Sequence, residues 1–135
     1  MLCEPAMAAV ARSWTEEQLA QMYAGLGGAG HDAALVVSEL VTNCQQAGAH
    51  VVDLTLLGHH GALRVEVTDD APGWPEMSAH VELDQVRGRG LRIVDAVTVA
   101  WGARADRAGK TVWADLAVPG HALSRFGCTH SRVAS

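Results

Sequence analysis

VVSELVTNCQQAGAHVVDLTLLGHHGALRVEVTDDAPG, residues 36–73, changes its apolar period midway, and that change decides the architecture. In the first half Ala33, Val36, Val37, Leu40, Val41, Cys44 and Ala47 recur at about 100° per residue, which predicts a helix over 31–47 with one core-facing stripe. In the second half VVDLTLLG and ALRVEVTD are β-rich runs parted by Gly58-His59-His60-Gly61, the pattern of an antiparallel hairpin. Upstream, Ser13 and Glu16 have capping-box spacing, and Leu19, Met22, Tyr23 and Leu26 follow at helical intervals, so a short helix is expected to start at Ser13. Downstream, residues 70–87 hold Pro72, Gly73 and Pro75 and no period, a longer loop than compact domains usually carry. Gly88-Arg89-Gly90 then opens LRIVDAV, a brief helix, and VTVAWGA and KTVWADLAV form a second strand pair about a turn at 106–109. The expectation is an α+β two-layer sandwich: a mixed, mainly antiparallel sheet of about four strands with helices on one face. One domain is expected over 13–119, after an extension at 1–12 and before a mobile tail at 120–135.

The 135 residues suffice for one core, and 49% hydrophobic with 19% charged residues excludes a disordered chain. No apolar run approaches the roughly 20 residues of a membrane span. A net charge of -5 gives no field to gather nucleic acid. Cys3, Cys44 and Cys128 are odd in number and lack CxxC spacing, so neither a disulfide framework nor a zinc site is expected. The first residues have no cationic lead-in, which predicts no signal peptide, and a cytoplasmic location follows.

Two glycine patterns compete for attention. Gly25-Leu26-Gly27-Gly28-Ala29-Gly30 spells a dinucleotide fingerprint, with Asp53 further on. A helical segment precedes it where a strand should, which favours a helix stop and turn. Gly109-Lys110-Thr111 ends like a phosphate loop but runs into a strand, and is better explained by a hairpin turn.

Three other elements can carry chemistry. Glu39, Asn43 and Gln46 share a helical sector of about 60° beside the apolar stripe, at the seam between core and solvent. Asn offers a neutral oxygen to a divalent cation and Glu can orient or deprotonate a nucleophile; the alternative is a polar pair on a solvated face. Asp69 ends a strand before Asp70, Ala71, Pro72 and Gly73, where a carboxylate can accept a purine amine or simply form a turn. Gly88-Arg89-Gly90-Leu91 closes the long loop at a helix start, a phosphate cradle or a hinge.

In this order and spacing the elements resemble the GHKL superfamily of ATP-binding domains, the Bergerat fold, and within it the small anti-sigma-factor serine kinases. ELVTNCQQAGA, VEVTDDAPGWP, GRGLRIVDAVTVAWG and GKTVWADLAVP carry the likeness over most of 32–119. The resemblance implies ATP and Mg2+ as cofactors, with Asn43 as magnesium ligand and Glu39 polarising the attacking hydroxyl. It implies Asp69 against the adenine amine and Gly73 in the purine pocket. Gly88 and Gly90 would back the phosphates at the end of a lid over 71–87, with Arg87 and Arg89 near the terminal phosphate and Leu91 and Thr111 among the nucleotide contacts. Implied partners are a sigma factor and an anti-anti-sigma (STAS-type) protein, with a possible homodimer and no direct nucleic-acid or membrane contact. Ala47 stands where the family has a basic residue four places after the Asn, and Glu76, Glu82 and Asp84 make the lid acidic. These departures keep a non-catalytic ATP- or ADP-sensing module open beside the kinase.

Overall fold

The computed structural model describes residues 3–22, 28–59, 62–71, 90–106, 109–118 and 129–134. Its elements are α1 (Cys3–Met22), α2 (Gly28–Gln46), β1 (Val51–His59), β2 (Ala62–Asp69), α3 (Gly90–Val97), β3 (Ala100–Asp106), β4 (Gly109–Ala117) and β5 (Thr129–Ala134). The strands form a single five-stranded sheet in the order β3-β4-β2-β1-β5. The α+β class is as expected, but every described pairing is antiparallel rather than mixed. β3 runs in the direction of β2, yet its hairpin partner β4 lies between them, so no parallel ladder forms.

Alternation along the strands builds the core. Val52, Leu54 and Leu56 of β1, Leu63, Val65 and Val67 of β2, and Val112, Ala114 and Leu116 of β4 all face the helices and are buried. Met7, Ala11 and Leu19 of α1, Val36, Val37, Leu40 and Val41 of α2, and Val94 of α3 close over them. Each such Val or Leu contributes roughly 1.5–3 kcal/mol by leaving water. On the opposite face the strands carry charge. Arg64 pairs bidentately with Asp115 at 2.7 and 2.8 Å, and its guanidinium lies 4.2 Å from the Trp113 ring centroid. Arg104 reaches Glu66 at 3.1 Å, and Arg132 pairs with Asp53 at 2.7 Å.

Two elements differ from expectation. α1 begins at Cys3 instead of Ser13, so most of 1–12 is helix. Pro5 sits in its first turn, where a missing N–H is harmless, and Met7, Ala11, Thr15 and Leu19 make a four-residue stripe that continues through the capping-box position. Thr15 Oγ1 donates to the Ala11 carbonyl at 2.9 Å inside the helix. The segment read as a tail supplies β5, which pairs with β1 and sets Val133 opposite Val52 in the core. Thr129 Oγ1 also donates to Gln18 Oε1 of α1 at 3.0 Å.

Candidate functional site

The site is built where α2 ends above the ends of β2 and β4. α2 stops in a Schellman motif: Gly48, at φ 97°, donates its amide to the Gln45 carbonyl at 3.0 Å, and Ala49 donates to Cys44 at 2.9 Å. This cap fixes the last turns, which carry Glu39 and Asn43 one turn apart, both half-buried. Gln46 is exposed, and Ala47 packs against the core.

Asp69 follows Val67 by two residues, so the same alternation that buries Val65 and Val67 buries the carboxylate. Its Oδ1 accepts the Ala71 amide at 2.9 Å, a turn of the kind Asp forms with the residue two ahead. Across the ladder Asp69 faces Lys110, which precedes Val112 by two and shares the helix-covered face. Lys110 Nζ stands 2.8 Å from Asp69 Oδ1, with the two side chains 8% and 0% exposed. Among the described residues Asp69 Oδ2 is buried without a hydrogen-bond partner. Beneath them, burial, then the Asp69 charge and a hydrogen bond to that carboxylate push the Cys44 thiol well up, which keeps it a neutral, weak S–H donor. Cys44 thus joins the Asn43 turn of α2 to Asp69.

Asp70 accepts the backbone amides of His50 at 2.9 Å and Val51 at 3.1 Å, tying the exit of β2 to the entry of β1. Gly109, at φ 155°, lies so close that a Cβ there would collide with the Asp69 carbonyl oxygen. Glycine lets β4 approach β2 and bring Lys110 to Asp69.

Asn43 lies on the turn of α2 whose Cys44 reaches Asp69, and Glu39 lies one turn earlier on the same helix. Thr111 does not join them: its side chain points to the other face, where its Oγ1 lies 2.6 Å from Thr68 Oγ1. Lys110 is the residue of that segment which faces Asp69, and period-two alternation through Lys110, Val112, Ala114 and Leu116 is the signal that finds it. Gly90 and Leu91 form the first turn of α3, which packs on α2. Gly73, Arg87, Gly88 and Arg89, and most of the expected lid, lie outside the described residues. Among the described residues no three of His, Cys, Asp and Glu gather as a metal site. No helix among them is long and apolar enough to cross a membrane.

The family model of the histidine kinase-like ATPase domain matches residues 3–116. The chain belongs to this family. No curated protein matches it. The match spans α1 through nearly all of β4, so the first helix is part of the ATPase domain, and Glu39, Asn43 and Asp69 all fall within it. A histidine kinase-like ATPase domain binds ATP, and the orphaned Asp69 Oδ2 fits that ligand. An unmet buried acceptor costs about 1–3 kcal/mol, and the adenine amine is a neutral donor able to meet it. The dinucleotide alternative finds no support: α1 precedes the glycines, and Asp53 is held by Arg132 on the far face of the sheet.

Proposed function

We propose that this ATP-binding domain is a magnesium-dependent regulator of the anti-sigma-factor serine kinase type, acting in the cytoplasm, with an anti-anti-sigma (STAS-type) protein and a sigma factor as partners and a homodimer as its assembly. What supports the proposal is the buried Asp69 carboxylate with its unmet Oδ2, reached by Cys44 from the turn of α2 that carries Asn43, with Glu39 one turn earlier on the same capped helix. Asn43 offers a neutral oxygen to Mg2+, and Asp69 Oδ2 accepts the base amine. ATP supplies the transferable γ-phosphoryl group. Glu39 would accept the proton of the partner's serine hydroxyl as that oxygen bonds to the γ-phosphorus, the bond to the β–γ bridging oxygen breaks and ADP leaves.

Calorimetric titration with ATP and ADP, with and without Mg2+, tests the binding. Wild type binds ATP more tightly with Mg2+, and Asn43→Ala loses that gain. Phosphoryl transfer to a serine-bearing antagonist falls about 100-fold or more in Glu39→Ala. Full activity in that variant removes the catalytic role of Glu39, and a folded wild type that binds no ATP removes the proposal.

A second reading, a sensor that binds ATP or ADP and acts through protein contacts alone, is favoured by one observation. Ala47, one turn beyond Asn43, packs against the core, so no cation stands there to help hold phosphates. Tight ATP binding without transfer to any partner distinguishes it.

A further inference from the structure

Lys110 belongs to no part of the function described above, yet its ammonium is held in the base site. Asp69 Oδ1 already accepts two donors, Lys110 Nζ at 2.8 Å and the Ala71 amide at 2.9 Å, while among the described residues Oδ2 has no N–H or O–H partner and the Cys44 thiol is a weak donor at the same carboxylate. An ammonium has three donor hydrogens, of which Oδ1 takes one. The pair therefore presents an acceptor that lacks a strong donor beside an ammonium with further hydrogens to give, and the ion pair is electrically neutral. A neutral base edge with one donor next to one acceptor satisfies both. The 6-amino group and ring N1 of adenine have that order. Guanine has the reverse order at the same two positions: seated in the adenine orientation it sets its O6 acceptor against Asp69 Oδ2 and its N1–H donor against the ammonium, so both contacts are mismatched.

We propose that Lys110 is a specificity-determining residue of the base site: it donates to N1 of the purine while Asp69 Oδ2 accepts the 6-amine, so the pair selects 6-aminopurine nucleotides. The proposal rests on the ATP-binding reading of the same site. Gly109 supports it structurally, because the close approach of β4 to Asp69 is what brings Nζ within reach.

The test is a cycle between residue and ligand atom. The full chain is titrated with ATP, with 1-deaza-ATP, in which N1 is a C–H, with 7-deaza-ATP and with GTP, as wild type, Lys110→Met and Lys110→Gln. A hydrogen bond from a charged donor predicts wild-type binding of 1-deaza-ATP weaker than ATP by about tenfold or more. In Lys110→Met that ratio collapses towards one, in Lys110→Gln it is intermediate, and 7-deaza-ATP tracks ATP throughout. If Lys110→Met does not fold, the wild-type ratio and its change in Lys110→Gln decide. Equal wild-type affinity for ATP and 1-deaza-ATP, a ratio that survives loss of the ammonium, or GTP binding as tight as ATP overturns the role of Lys110 and leaves ATP binding standing. A folded wild type that binds none of the four overturns both.

Discussion

Asp70 holds two strands in register with one side chain. The amides of Val51 and His50 donate to its Oδ1 and keep its carboxyl below the usual carboxylate range. A group depressed in the folded state gives stability above its unfolded value, about 3.9, and loses it as pH falls through the lower folded value. Asp70→Ala is thus expected to melt below wild type at pH 7, with a gap that narrows as pH falls below about 4. Melts followed by circular dichroism at pH 7, 4 and 2.5 check this, and an unchanged gap at pH 2.5 contradicts it. Gly109 acts at the same scale by what it lacks. Gly109→Ala must push β4 from the Asp69 carbonyl, at a cost of about 2 kcal/mol. Because the shift carries Lys110 with it, urea unfolding and ATP titration should both register the substitution. A stable variant with native ATP affinity contradicts the close approach.

At the scale of elements, α2 depends on how it ends. Gly48 has nothing within 4 Å of where a Cβ would lie, so Gly48→Ala pays only for its left-handed backbone, about 1 kcal/mol. Denaturant unfolding measures that loss, and Mg2+-dependent ATP affinity should fall alongside it if the cap positions Asn43. The helix itself was legible from its stripe, as were both hairpins from their alternation and turns. α1 was legible only in its second half, because Ser13 and Glu16 spell a helix start within a helix that local spacing cannot distinguish from a true one. β5 was hidden because THSRVA shows no apolar alternation to mark it as a strand, and its partner β1 lies far away in sequence. Among the candidate residues, the burial of Asp69 could be read from its phase with Val65 and Val67, and the half-buried seam position of Glu39 and Asn43 from helical spacing. Thr111 came from the resemblance and not from strand phase, and a buried lysine makes sense only once Asp69 is seen opposite it.

At the scale of the molecule, the two faces of the sheet divide the labour. The helix-covered face carries the core and, at its end, the Asp69 and Lys110 pair; the other carries cross-strand ion pairs. Of these the Arg64–Asp115 fork is the best sheltered, its side chains 13% and 12% exposed. Arg64→Ala leaves Asp115 unpaired and is expected to cost about 2 kcal/mol in urea unfolding, without changing ATP affinity. Loss of nucleotide binding there would show that the two faces are coupled.

The bond from Thr129 to Gln18 joins β5 to α1 across a sequence separation of 111. β5 pairs with β1 along six positions, so the strand beside it cannot be released without disturbing the helix, and neither element is an independent appendage. In hydrogen exchange, amides of α1 and β5 should then open as one cooperative unit with a shared protection factor, and Thr129→Val should raise both exchange rates together.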